Sequence, residues 1–340
     1  TDQWGDVPFS EAFKGDPSGS GLRPKYDKQQ ALYDTIQVLL SQGIRNCKLA
    51  SALSPGPDDI IYNGSMSKWI SLSYALKARY SLHLSKKDGN AYSKALLFAD
   101  SAGVVSPATI KFSGTTSQNE GPMFQYNDQR GDIVVASTLV NYFKRTSDSL
   151  KQFSGDPRLL AAVDVPYDSL WSEVTLKEDG ETDTLYRVFL PYGAQPGEQD
   201  FGTSYGAGEV EVSALYMGPF LGAPNSDVPL FLPSELYFIK AEAHLALGQS
   251  TEAATAHNSA VESSLDEMGV ATDDNFIAQY GSETGETITL ERIMNQKWVA
   301  LYCNAEAWTD WRRTGFPVLD AASSNSLDGK IPVRYPYPQK

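Results

Sequence analysis

A serine with the spacing of a catalytic nucleophile stands in Gly202-Thr203-Ser204-Tyr205-Gly206. A nucleophile elbow needs a buried strand before the serine and a helix after it. Gly197-Glu198-Gln199-Asp200 precede and Ala207-Gly208-Glu209 follow, so this segment reads as a flexible glycine-rich loop. The chain has three histidines. His244 and His257 fall on packing positions of a helical repeat, described below, and His83 is expected half-exposed on a helix that also carries Arg79 and Tyr80. None is left to act as a general base. Among the carboxylates, Glu291, Glu306 and Asp310 lie near aromatics, and Asp58-Asp59 sit in a loop. Glu306 and Asp310, spaced i,i+4 beside Arg312 and Arg313, read as structural salt-bridge partners and not as a glycosidase pair. The acidic run Glu178-Asp179-Gly180-Glu181-Thr182-Asp183 lacks EF-hand spacing and reads as a solvated loop. There is no C-x-x-C, no H-E-x-x-H and no Cys/His cluster, and Cys47 and Cys303 are expected to be buried free thiols among apolar neighbours. No catalytic residue, metal ligand or cofactor is therefore assigned. Asn63-Gly64-Ser65 is a glycosylation sequon by pattern, of consequence only in a eukaryotic secretory setting.

The bulk composition narrows the class further. In 340 residues, 28 basic against 42 acidic side chains give a formal charge of −14, which disfavours a nucleic-acid binder. With 41% hydrophobic and 21% charged residues, the chain is globular and not disordered. No apolar run reaches the roughly 18–20 residues of a transmembrane helix. The aromatic content leans to 18 Tyr and 6 Trp, rings with a polar edge that suit wet binding surfaces as well as cores.

Three stretches position these residues. Residues 1–110 read as mostly helical. Lys28 to Ser41 carries Leu32, Ile36, Leu39 and Leu40 at helical spacing, with Gly43 as the expected stop. After the loop around Ser54-Pro55-Gly56-Pro57, Ser67 to Leu84 places Trp69, Leu72, Leu76 and Tyr80 on one face. Ala91 to Ala102 then forms a small-residue face from Ala95, Ala99 and Ala102. Residues 111–232 contain one expected helix, Ile133 to Arg145, followed by Asp156-Pro157-Arg158; the remainder is a Gly-, Pro-, Tyr- and acid-rich excursion without its own period. Residues 233–320 return to helices. Ser234 is expected to cap Glu235 to Leu247, Gly248 stops that helix, and Thr251 to Met268 follows. Tyr237, Ala241, His244, Gly248, Ala253, His257 and Ala260 fall at positions 4, 8, 11, 15, 20, 24 and 27 of a 34-residue tetratricopeptide frame. Small Ala241 and Ala253 allow close helix approach. Trp308, Trp311 and Phe316 read as helix-packing residues, with Arg312 and Arg313 bridging to carboxylates.

Several segments, in order along nearly the whole chain, resemble the SusD/RagB family of outer-membrane nutrient-binding lipoproteins. They are Trp4-Gly5-Asp6-Val7-Pro8-Phe9-Ser10-Glu11-Ala12, Tyr62-Asn63-Gly64 to Lys68-Trp69, Leu76-Lys77-Ala78-Arg79, Asp156-Pro157-Arg158-Leu159 and Glu235 to Ala243. The strongest is Gln296-Lys297-Trp298 through Glu306-Ala307-Trp308-Thr309-Asp310-Trp311-Arg312-Arg313-Thr314-Gly315-Phe316-Pro317, followed by Ile331-Pro332-Val333-Arg334 and Tyr337-Pro338. The resemblance implies a mainly α fold: a right-handed tetratricopeptide-like superhelix of about four repeats, carrying a long irregular, loop-rich excursion. Residues 1–340 form a single SusD-like domain in this reading, with a helical scaffold at 1–110 and 233–320 and a ligand-binding excursion at 111–232. The family is longer at the front, where it carries a signal peptide and a lipidated cysteine, so a fragment of a larger surface protein is expected, its lipid anchor inferred.

What the resemblance implies for function is non-catalytic binding of an oligosaccharide at the outer membrane and its delivery to a SusC-like TonB-dependent transporter. The alternatives are a peptide-binding member of the same family and a repeat-based interaction scaffold with no small ligand. Sugars offer apolar C–H faces and a rim of hydroxyls, so they are held by stacked rings and a few side-chain hydrogen bonds. Trp171, Tyr167, Tyr192, Phe201, Tyr205 and Tyr216 are the candidate rings, with Tyr62, Asn63 and Asn225 as candidate partners.

Overall fold

Asp6 and Asp27 organise the start of the chain. The Asp6 carboxylate accepts from the Gln29 amide and the Lys28 ammonium, both at 2.9 Å, and so caps the first helix, α1 (Gln29–Cys47), from outside it. Asp27 accepts from the amides of Phe9 and Ser10 beside a bridge between Val7 and Asp27. The turn before them needs Gly5 at φ 91°, a region L side chains avoid. These facts come from a computed structural model that describes residues 1–15, 21–49, 55–130, 139, 142, 156–164, 173–176, 182–185, 216–321 and 327–337.

The helix α1 runs through Gly43, the expected stop, to Cys47. A mid-helix glycine costs about 1 kcal/mol relative to alanine, and burial of Ile44 directly after it outweighs that. Two further helices, α2 (Met66–His83) and α3 (Ala91–Ala102), form the expected hairpin. Leu72, Ala75, Ala78 and Leu82 meet Ala95, Ala99 and Ala102 in one core cluster, which Phe231, Leu236 and Ile239 complete from later in the chain.

Strand β1 (Ala108–Ile110) pairs antiparallel with a much later strand, Val228–Phe231, in the register Ala108↔Phe231 and Ile110↔Val228. The chain thus leaves the helices and returns to them on one two-stranded ladder. Between these strands lie the helix α4 (Pro122–Arg130), the four-residue helices α5 (Leu159–Ala162) and α6 (Pro219–Gly222), and two short antiparallel ladders. One ladder pairs Val163–Asp164 with Tyr216–Met217 and the other Glu173–Leu176 with Thr182–Leu185. Most of the helix expected over 133–145 lies outside the described residues, as does the Gly202–Gly206 loop; Leu139 and Tyr142 are helical.

The repeat frame is present in α7 (Pro233–Ala246) and α8 (Ser250–Glu267). Ala241, Ala253, Ala260 and His257 have no exposed surface, and Gly248 turns the chain between the helices at φ 76°. The N-terminal cap differs from expectation. Leu232 takes the cap position, and the Ser234 amide and hydroxyl both donate to the Glu267 carboxylate, at 2.7 and 2.5 Å. The end of α8 therefore caps the start of α7. Helices α9 (Asp274–Tyr280), α10 (Leu290–Ala300) and α11 (Ala305–Thr314) complete the scaffold. Each starts on a side-chain cap, from Asp273, Thr289 and Asn304 respectively.

Close approach of α7 and α8 depends on alanine at the crossing. Ala241→Leu is expected to overpack it and to lower stability by about 1–3 kcal/mol, read as a reduced urea midpoint; an unchanged midpoint would place the crossing elsewhere.

Candidate functional site

The family-like segments meet at a buried network of charges. On α2, the Arg79 guanidinium forks onto Glu235 of α7, with Nε 2.6 Å from Oε1 and Nη2 2.5 Å from Oε2. Its Nη2 also donates to the Leu230 carbonyl, and its plane lies over the Phe231 ring at 4.7 Å. On α11, Arg313 forks onto Glu242 of α7 and donates to Asp310 at 2.7 Å. Asp310 also pairs with Lys297 of α10 at 2.6 Å. Arg158 has no exposed surface; it donates to Asp156, to the Ser264 hydroxyl and to the Gln296 side-chain oxygen. The expectation that Arg313 and Asp310 are structural partners agrees with this. Among the described residues Arg312 bridges to no carboxylate: it donates to the carbonyls of Asp2 and Val333, at 2.6 and 3.0 Å, and stacks on Trp308.

His83 corrects the half-exposed expectation. Its side chain is only 4% exposed, with Nε2 2.9 Å from Glu306 and Nδ1 3.6 Å from Asp2. The Tyr33 hydroxyl donates to Asp2 and lies 3.2 Å from Nδ1. Asp2 comes from the N-terminal segment and Glu306 from α11, so local periodicity around His83 carries no sign of either. Of the other histidines, His257 is buried with Nε2 3.0 Å from the Tyr280 carbonyl, and His244 pairs with Gln249. Every histidine is thus engaged. The cysteines also depart from expectation: Cys47 is half-buried and Cys303 exposed.

Above this network lies a groove with a mostly apolar surface edged by polar side chains. One section, about 460 Å³, is lined by Asp2, Gln29, Lys86 and Arg312 among others. A second, about 700 Å³, is lined by Gln37, Lys77, Asp88 and Phe98 among others. The sections share Gln30, Tyr33, Leu84 and Lys87, so they form one cleft along α1, α2 and α3. Amides, a phenol and ammonium groups on a partly apolar floor suit a hydroxyl-rich ligand. No group of three or more His, Cys, Asp or Glu among the described residues is placed to hold a metal ion.

Of the candidate ligand residues, Tyr62 is buried in the α2–α3 core; its hydroxyl donates to the Ser106 carbonyl at 2.9 Å, and its ring meets Trp69 edge-on. A ring enclosed in this way offers no face to a ligand. Asn63 and Asn225 are exposed, Asn63 at φ 52°. The loop holding Asn63 is built on Asp59, which accepts from the Ile61, Tyr62 and Gly64 amides and from the Trp69 indole. That leaves the Asp59 carboxylate no catalytic freedom. Trp171, Tyr167, Tyr192, Phe201 and Tyr205 lie outside the described residues, and Tyr216 is placed only by its backbone, in the ladder with Asp164. Sequence reasoning missed the pairs around Arg79, His83 and Lys297. One signal for them was present: Glu235 and Glu242, at i,i+7, put two acids on one face of a helix otherwise rich in apolar residues.

Helical hairpins with a tetratricopeptide frame, bearing an open groove over engaged charges, define a helical-repeat scaffold. The chain belongs to the SusD-like family: the family model described as "Starch-binding associating with outer membrane" matches residues 1–338. Similar solved structures include a chitin-binding protein (TM-score 0.73, 23% identity, 99% of this chain and 70% of that one). A SusD homologue from Bacteroides ovatus is similar at TM-score 0.73 and 22% identity, over 99% of this chain and 71% of that one. A chitin-binding SusD homologue from Flavobacterium johnsoniae matches at TM-score 0.70 and 19% identity, over 100% and 71%. No curated protein sequence matches this chain.

The His83 cluster gives a pH signature. Burial by itself would lower the His83 pKa, but Asp2 and Glu306 reverse that and raise it from 6.5 to about 9. The folded state therefore holds this proton more tightly than the unfolded chain, and the stabilisation is complete below about pH 6.5 and lost as pH rises through about 9. The melting temperature is expected to fall between pH 7 and 10. His83→Gln, which leaves Asp2 and Glu306 without their cation, is expected to cost about 3 kcal/mol at pH 7 and to flatten that fall. Parallel pH profiles for the two proteins would contradict the assignment.

Proposed function

We propose that this protein binds an oligosaccharide nutrient without transforming it and passes it to a SusC-like TonB-dependent transporter in the outer membrane, from a lipid-anchored position on the cell surface. The family match over residues 1–338 carries this reading. The groove supports it, because apolar surface edged by amides, a phenol and ammonium groups suits a sugar's C–H faces and hydroxyls. The excursion between the β1 ladder strands, with Trp171, Tyr167, Tyr192, Phe201, Tyr205 and Tyr216, is the proposed location of further sugar-stacking rings, with Asn63 and Asn225 as polar partners. Glycan type is suggested by the starch named in the family description and the chitin named for two structural neighbours.

Isothermal titration of the 340-residue chain with maltoheptaose, chitohexaose and xylohexaose is expected to give saturable binding to at least one, with the sugar recovered intact. Binding to none of them, with binding to a peptide mixture, would replace this reading with peptide capture. Release of shorter sugars would replace it with catalysis. Pull-down from outer-membrane extract is expected to retain a TonB-dependent barrel, and its absence would remove the delivery step.

A further inference from the structure

The groove is cationic in an acidic protein. Six Lys and Arg side chains against three Asp line its two sections, in a chain whose net charge is −14. Two of the cations are already neutralised, Arg313 by Glu242 and Asp310 and Lys94 by Asp88 at 2.6 Å. Lys77, Lys86 and Lys87 differ: among the described residues, the lysines that pair with a carboxylate are all others. Lys77, on α2, is only 6% exposed and lines the second section. Its ammonium donates to the Gln37 carbonyl at 3.3 Å and the Ser41 hydroxyl at 2.9 Å, and lies 4.5 Å from the centre of the Phe98 ring. One of its three N–H donors is thus left without an acceptor. Burial lowers the Lys77 pKa below the ordinary lysine value, with no acid to restore it. Beside it, the Gln37 side-chain oxygen is buried and accepts no hydrogen bond, while the Gln37 side-chain nitrogen donates to the Lys77 carbonyl. A cation short of an acceptor and an oxygen short of a donor therefore line one cavity of about 700 Å³.

We propose that this section of the groove binds an acidic sugar residue, whose carboxylate or sulfate ester pairs with Lys77 and whose neighbouring hydroxyl donates to Gln37. The proposal rests on the oligosaccharide reading above and names the ligand class for it. The choice follows from what the two groups lack. Buried charges in folded proteins are paired. A neutral sugar would satisfy Gln37 and leave the Lys77 charge uncompensated, and an anion without a donor would do the reverse. The acids of this section do not fill the role. Asp88 is taken by Lys94, and Asp34 is exposed and accepts from Gln30 at 3.2 Å. Exposed Lys86 and Lys87, the latter shared by both sections, add positive potential that draws an anion in. The net charge of the chain repels anions elsewhere, so this local excess of cations also sets where one lands.

Calorimetry on the whole chain uses matched probes: hexagalacturonate and its methyl ester, glucuronate-substituted xylohexaose and xylohexaose, and sulfated chitohexaose and chitohexaose. In at least one pair the acidic member is expected to bind at least tenfold tighter in about 50 mM salt, with that advantage shrinking severalfold in about 500 mM. The pair that shows it tells carboxylate from sulfate. Lys77→Met keeps an unbranched stem and loses the charge, and is expected to cut the acidic-to-neutral affinity ratio at least fivefold. Should it fail to fold, Lys86→Gln combined with Lys87→Gln, both at exposed positions, decides, with at least a threefold cut expected. Folded variants that keep the full ratio, or a wild type that binds both members of every pair equally, would overturn the acidic site and leave the oligosaccharide reading standing. A wild type that binds no sugar of either kind would overturn both readings, and binding of hexaglutamate alone would overturn both in favour of an acidic peptide.

Discussion

A buried guanidinium is stable only where an acid neutralises it, and Arg79, Arg158 and Arg313, each paired with a carboxylate, hold this scaffold in register. Losing one member of such a pair typically costs about 3–5 kcal/mol, because the survivor is left as an uncompensated charge. The same arithmetic makes a shifted packing of the helices expensive. Glu235 and Glu242 stand two turns apart on α7, one matched to Arg79 of α2 and the other to Arg313 of α11. Sliding α7 by a turn would break both. Alanine faces alone would tolerate such slippage, since Ala241, Ala243 and Ala253 offer nearly featureless surfaces; the charges remove that freedom.

Rigidity at this junction is passed on to the groove above it. The groove runs over α1, α2 and α3, and its floor near Asp2, Tyr33 and His83 is the upper layer of the charge network. The long chain segment between β1 and the strand Val228–Phe231 begins and ends on one ladder packed against the same helices. The family-like residues around Arg79, Arg158, Glu235 and Arg313 read as scaffold in this arrangement.

Much of this was legible from one-dimensional pattern. The hairpin of α2 and α3, the repeat frame of α7 and α8 and the structural role of Asp310 and Arg313 all follow from spacing within a helix or between neighbours, where side-chain direction is set by the 3.6-residue period. What escaped was non-local. His83 owes its enclosure to Asp2 and Glu306, Ser234 gave up its capping role to Glu267, and Arg312 turned to carbonyls of both terminal segments. Gly43 escaped for a different reason: local propensity pointed to a stop, and burial of Ile44 decided otherwise. The rings of the excursion had no period to anchor them, so composition alone suggested them.

The contacts of Arg312 have a consequence for the time course of folding. They span 310 residues, from Asp2 to α11, and Arg79 waits 156 residues for Glu235. At about 5–20 residues per second of synthesis, the first helices exist for tens of seconds before the acids that neutralise them emerge. During that interval α1, α2 and α3 can pack only their alanine and leucine faces, and the cations stay hydrated at an unfinished edge. Completion is therefore a late, long-range event, of the kind that slows folding through loop closure. Until then the helices formed early carry an open edge, and the last segment of the chain to emerge is the one that closes it.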